Sequence, residues 1–350
     1  MPRAIIVTLT VLFAGLSLAQ ERTAFTVGSA TATRGQKAAG AIAVPAGVDA
    51  AAKIPVAVVH GARPGPVLAL VAGAHGTEYA SIIALEKMIG RLDPAEIAGT
   101  VIIIPLVNTS SFEQKVAHIN PVDGKNMNRM YPGKMDGTQT ERASYLITRE
   151  VVEKCDHLID LHGGDVDESL RPYSYWTKTG KAEQDRISKE MALAFGLDHI
   201  IISTDRPTDP AASRYLENTA TTRGKPSITV EAGYAGTVDP EDVEALIAGS
   251  LSVMRYLKML PGNPAPVEHP VWIGKLDGIT SDYTGIFYPL VNRGTFAAQG
   301  MKIGYVTDYT GKVLFEARSP SSGVVLFIRA VPSLMKGDTL ISIGQVSPEP

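Results

Sequence analysis

The chain has 350 residues, of which 45% are hydrophobic and 20% charged, and its formal net charge is -3. That length suits one large domain or a large and a small one. The near-balanced charge gives none of the basic excess expected of a nucleic-acid partner, and a single cysteine, Cys155, excludes an intramolecular disulfide and a thiolate metal cluster.

Read from the N-terminus, Arg3 precedes an almost wholly apolar run over 4–19, and Ser17-Leu18-Ala19 has the small-x-small form of a cleavage site. This predicts an export signal removed after Ala19 and a periplasmic or secreted protein. The alternative, a membrane anchor, needs a longer apolar run than this one. No later stretch is long and apolar enough to span a bilayer. Residues 20–44 are set apart as an N-terminal extension, 45–260 as a hydrolase domain and 261–350 as a β-rich C-terminal domain.

From about residue 54, short apolar runs alternate with helical patterns. Strands are predicted at 56–59, 67–71, 101–106, 158–161, 199–202 and 228–230, several of them apolar on both parities, as in strands covered on both faces. Helices are predicted at 77–92, 141–152, 182–195 and 240–260. The alternation implies an α/β domain with a mixed sheet and helices on both faces. Cys155, just before a strand, reads as a buried small hydrophobe.

Four elements of this region carry chemistry. Gly73-Ala74-His75-Gly76-Thr77-Glu78 follows the strand at 67–71, and Asp160-Leu161-His162-Gly163-Gly164 closes the strand at 158–161. Two imidazoles and one carboxylate at strand ends make the protein set of a catalytic zinc site with a fourth position left for water, because ligands converge at the ends of parallel strands. Glu231, ending the strand at 228–230, is placed to act as general base near such a metal. Between them, Asn128 and Arg129 in Asn126-Met127-Asn128-Arg129 have the form of a clamp for a substrate carboxylate. Each residue alone also has a plainer reading, as a surface pair, a core histidine, a helix cap or a structural arginine. The conjunction at glycine-flanked strand and loop ends favours the site. His60, His157, His199 and His269 lack such settings and read as structural.

After Leu260 the run Pro261-Gly262-Asn263-Pro264 signals a linker, and no long helix follows. Strand units beginning at Gly285 and Gly323 are weakly self-similar, in a pattern resembling the barrel-sandwich of biotinyl and lipoyl domains. Lys312 lacks the flanking of a modified lysine, so it reads as a turn residue in an all-β appendage without a swinging cofactor.

Taken together, Gly73–Glu78, the Pro121-x-Asp-Gly…Asn-x-Asn-Arg-x-x-Pro-Gly133 element, Asp160–Gly164 and Glu231-Ala232-Gly233 make the chain, over roughly 54–345, resemble the succinylglutamate desuccinylase/aspartoacylase family of zinc carboxypeptidase-like hydrolases. The resemblance implies one Zn2+ held by His75, Glu78 and His162, substrate carboxylate on Asn128 and Arg129, Glu231 as base, and hydrolysis of an N-acyl amino acid or related amide. Two positions depart from it. Asn126 stands where the family often has an acid. Where the family carries an arginine that polarises the scissile carbonyl, this chain reads Ala117-His118-Ile119-Asn120, with His118 nearest. His118 is then either the carbonyl donor, losing its charge near neutral pH, or an exposed loop residue. Two rival functions stay open: a carboxypeptidase acting on peptides or cell-wall fragments, and a catalytically silent binding module.

Overall fold

The computed structural model describes residues 23–350, so the export signal expected at 1–19 lies outside the described residues. Among the described residues, no helix is long and apolar enough to cross a membrane.

One large mixed sheet organises the chain. Its core is three parallel neighbours, Arg63–Ala72, His157–His162 and Ser227–Glu231. On one side follow Ala98–Ile104, Ala52–His60 and the edge strand Gln36–Val44. On the other side Tyr173–Thr177 runs antiparallel to Ser227–Glu231, and His199–Ser203 runs parallel to it.

Both faces are covered, which explains the double-parity apolar strands. Leu68, Leu70, Ile159, Leu161, Ile228 and Val230 meet helices Tyr79–Arg91, Ala182–Phe195 and Pro240–Tyr256 in one core. Val67, Ala69, Val71, Ile102 and Leu158 meet helices Gln139–Ile147 and Leu216–Thr222 in the other. Cys155 is buried in this second core, and burial pushes its thiol up to about 12. It is inert packing, as read.

Three expectations are amended. The helix expected at 77–92 begins at Tyr79, because Thr77 and Glu78 are held by the site described below. The helix expected at 141–152 stops at Ile147 and continues as a π turn over Thr148–Val152. The segment before residue 45 is part of the sheet, since Gln36–Val44 pairs with Ala52–His60 along its whole length. The strand Tyr173–Thr177 was not anticipated, since its Tyr-Ser-Tyr-Trp-Thr sequence is short and polar for a buried strand, yet Ser174 is fully buried.

The C-terminal region is continuous with the main sheet. Val271–Thr280 pairs parallel with His199–Ser203 and antiparallel with Thr339–Ser347, which in turn pairs with Gly323–Arg329. A second sheet, Val313–Arg318, Lys302–Thr307, Gly285–Pro289 and Ser333–Leu334, faces it. The two enclose Phe287, Ile303 and Val306 against Val325, Ile341 and Ile343. Lys312 closes a tight turn in which its backbone N–H donates to Asp308 Oδ1 at 3.0 Å.

Candidate active site

The site sits at the carboxyl ends of the three parallel core strands. After Ala72 the chain must leave the sheet and turn back within a few residues. Gly73 does so at φ +69, a conformation that side-chain-bearing residues rarely adopt. Gly76 passes so close to the short helix Thr109–Gln114 that a Cβ there would lie 2.2 Å from Phe112 N. His75 and Glu78 are thereby brought to one point. The parallel register sets Glu231 directly beside His162.

Glu78 bridges the two imidazoles. Its Oε1 lies 2.6 Å from His75 Nδ1 and its Oε2 2.9 Å from His162 Nδ1, and the Gly163 N–H donates to Oε2 at 3.1 Å. Ligand atoms of all three residues fall within 4.8 Å of one another. Both Nδ1 atoms face this point, and polar side chains stand at the other ring nitrogens. Asn126 Oδ1 is 3.1 Å from His75 Nε2, and Asp160 Oδ1 is 3.2 Å from His162 Nε2. Such partners fix tautomer and ring orientation in metal-binding histidines. Asn126 therefore serves as an acceptor, which an amide oxygen can do as well as an acid. Asp160 was legible as part of its motif but not as a partner, since its side chain points back under His162 from the same strand.

The electrostatics are those of a crowded donor set. Burial opposes ionisation of Glu78, but His75 and His162 hold its carboxyl far below the usual range. Burial also lowers both histidines, and the carboxylates outweigh it: Glu78 raises His75, and Asp160 with Glu78 raises His162. Glu231 is pushed well up by burial, and although His162 opposes this, Glu78, Glu168 and Asp160 add to it. This excess of buried negative charge and imidazole nitrogen about one point is what a divalent cation would neutralise.

A cavity of about 350 Å³ opens here, lined by His75, His162, Glu231, Asn128, Arg129 and Glu168 among others. Asn128 is committed: its Oδ1 accepts from Leu216 N at 3.0 Å and its Nδ2 lies 3.3 Å from His162 Nε2. Arg129 stacks over Tyr215, with Cζ 4.7 Å from the ring centre, and donates to Asn128 O at 2.7 Å. The sequence reading had not singled out Glu168. It lies in a short strand that pairs with Gly323–Arg329, and burial, then Glu78, raises its carboxyl to about 7.

His118 lies beside the site, its ring 6.2 Å from that of His75. Its Nε2 is 2.8 Å from Asp167 Oδ1 and its Nδ1 3.2 Å from Asp165 Oδ2. It is neither a plain exposed loop residue nor a group that discharges near neutral pH. The bond to Asp167, opposed by burial and reinforced by Asp165, raises it to about 9.

The family model of the Succinylglutamate desuccinylase/Aspartoacylase catalytic domain matches residues 64–257. Over 302 residues the chain is 32% identical to the N-alpha-acetyl-L-2,4-diaminobutyric acid deacetylase of Halomonas elongata, covering 85% of this chain and 86% of that protein. In fold it is similar to a succinylglutamate desuccinylase/aspartoacylase from Rhodobacter sphaeroides, with TM-score 0.79 at 23% identity over 89% of this chain and 96% of that one. It is similar also to the product-bound ectoine utilization protein EutE from Ruegeria pomeroyi, with TM-score 0.79 at 23% identity over 88% and 95%. From its catalytic-domain match and its deacetylase relative, the chain belongs to the succinylglutamate desuccinylase/aspartoacylase family.

Proposed function

We propose that this protein is a zinc-dependent deacylase that hydrolyses the amide of a small N-acyl amino acid. The observation that carries the reading is the convergence of His75, Glu78 and His162 on one wall of a cavity that also presents Glu231 and Arg129. The donor set fits zinc: two imidazole nitrogens and a carboxylate, each histidine with an acceptor at its other nitrogen. Zinc bound there supplies a Lewis acid and a source of nucleophilic water at neutral pH.

The chain's own groups do the rest. Arg129 pairs with the substrate carboxylate, with its guanidinium oriented by Tyr215 and Asn128 O. Asn128, fixed by the Leu216 N–H on its Oδ1, sets its backbone oxygen to receive the Arg129 guanidinium. Glu231 takes the proton of the attacking water on its carboxylate and returns it to the leaving amine nitrogen. Beside a bound divalent cation the Glu231 carboxyl would fall into the range where it can act as a base. His118, held cationic by Asp167 and Asp165 beside His75, is the donor for the charge that the carbonyl oxygen gathers. A cavity of this size suits a small molecule.

Metal analysis together with amine release from N-acyl amino acids and short peptides tests the proposal. About one zinc per chain is expected, lost in His75→Ala and His162→Ala, with turnover of N-acyl amino acids. Zinc retained in both variants removes the site as drawn. Turnover of peptides alone means a carboxypeptidase, and zinc without turnover means a binding module. We further propose export, on the apolar run at 4–19. A mature protein beginning at Gln20 by mass measurement supports it, and an intact Met1 in the cytoplasm overturns it.

A further inference from the structure

The C-terminal strands reach His118 through one side chain. Arg329 ends the strand Gly323–Arg329, which pairs antiparallel with Glu168–Leu170 and sets Arg329 opposite Glu168. Its Nη1 lies 2.7 Å from Asp167 Oδ2, and Asp167 Oδ1 lies 2.8 Å from His118 Nε2. One carboxylate thus joins two cations, each on its own oxygen. Arg329 is only 9% exposed and is tied down within its own region. Its Nε donates to Thr339 O at 3.1 Å, and its Nη2 lies 3.5 Å from Asp338 Oδ2. The backbone beside the contact is held too, since Ala330 N donates to Asp167 O at 2.9 Å. Burial would raise the Asp167 carboxyl, but His118 and then Arg329 hold it below its usual range.

His118 depends on such support. Its backbone sits at φ +60, a conformation that a side-chain-bearing residue keeps only where its surroundings fix it. Its side chain is 39% exposed, so packing covers only part of the ring. Buried Asp165 receives its backbone N–H at 3.0 Å, and Asp167 holds the far nitrogen of the ring. Without Arg329, the Asp167 carboxylate at the cavity rim would be free to turn to water. We propose that Arg329 is a positioning residue for the hydrolysis: through Asp167 it fixes the His118 ring beside His75, so that the C-terminal β region completes the active site. Arginine suits this place because its planar fork serves Thr339 O and Asp167 at once, which a lysine cannot do. The inference rests on the deacylase reading of the site and on His118 as its donor.

The test is a double-mutant cycle on the zinc-loaded full chain, with kcat and KM measured on an N-acyl amino acid. Arg329→Gln is expected to lower kcat by about ten- to a hundredfold with KM little changed, as when a catalytic group is misplaced by on the order of 1 Å. In a His118→Ala background the same change should cost less than about twofold, because the ring that Arg329 positions is gone. Arg329→Lys should show the same pattern with a smaller loss, and it carries the test if Arg329→Gln does not fold. Losses that multiply in the double variant, or a wild-type kcat in folded Arg329→Gln, overturn the proposal and leave the deacylase reading standing. A second readout needs no turnover. The ring N–H signal of His118, identified by its loss in His118→Ala, is expected in nuclear magnetic resonance spectra of wild type and should exchange away with water in Arg329→Gln. If wild type hydrolyses no N-acyl amino acid, the deacylase reading falls and this signal decides: its loss in Arg329→Gln supports the positioning contact, and its persistence overturns it.

Discussion

At the scale of single residues, the chemistry divides between groups whose type was decisive and groups whose surroundings were. Glu231 is the sharpest case of the first. Replacing it with glutamine keeps shape and hydrogen-bonding capacity but cannot shuttle a proton. Glu231→Gln should keep its zinc and its melting temperature while kcat falls by on the order of 10²–10⁴-fold. Undiminished kcat would assign the base elsewhere, with Glu168 the next acid on the same wall. His118 is a case of the second. A free histidine would titrate near 6.5, yet its two aspartates raise this one to about 9. A raised value means that the charged form, and the donor role with it, persists through neutral pH and is lost as pH rises through about 9. The wild-type kcat should therefore show an alkaline limb near there. His118→Arg should abolish that limb, and His118→Ala should lower kcat throughout. A limb that survives in both variants would belong to another group.

At the scale of elements, the loop bearing Asn126, Asn128 and Arg129 is positioned by the start of the helix Gln139–Ile147. Asp123 in that loop accepts from Thr140 N at 2.9 Å and Thr140 Oγ1 at 2.8 Å. Lys125 reaches Glu141 Oε2 at 2.9 Å, and Thr138 N donates to the same oxygen at 2.9 Å. Burial would raise the Glu141 carboxyl, but Thr138 and Lys125 outweigh it and hold the group at about 2. Because the folded value is depressed, the ionised group contributes stability above the ordinary carboxylate range, and that contribution is lost as pH falls toward 2. Glu141→Gln should melt below wild type at pH 7, with the gap narrowing once pH drops under about 4. A gap independent of pH would mean that the ionised form contributes nothing. The spacing Thr138-x-x-Glu141 announces a helix start in sequence. Its bond to Lys125, which pins the loop bearing Asn126, Asn128 and Arg129, does not.

At the scale of the molecule, the linker at 261–266 does not separate two independent bodies. Tyr173 and Ile201 share a core with Ile273, Val324 and Leu326 across it. Arg293 Nη1 donates to Leu170 O at 2.7 Å and Gly233 O at 3.0 Å, and Arg329 Nη1 lies 2.7 Å from Asp167 Oδ2, next to His118. The C-terminal strands therefore brace the rear of the site. Calorimetry of the full chain should show one unfolding transition, since a shared sheet and core cannot melt by halves. A chain ending at residue 260 should be insoluble, having exposed that core and the edge of His199–Ser203. Two resolved transitions, or a soluble folded fragment, would restore the two-domain division read from the linker.

What the sequence determined by itself was local. Apolar runs marked the six expected strands, and the residue types at their ends named the candidate metal donors, because strand period and turn chemistry act over a few neighbours. Only the tertiary structure decided which residues those donors answer to. Asp160 lies under His162, Asn126 at His75, and Asp165 and Asp167 about His118. These relations join segments tens of residues apart, or depend on which way a side chain leaves its strand. They follow from sheet register and burial, and no local spacing encodes them.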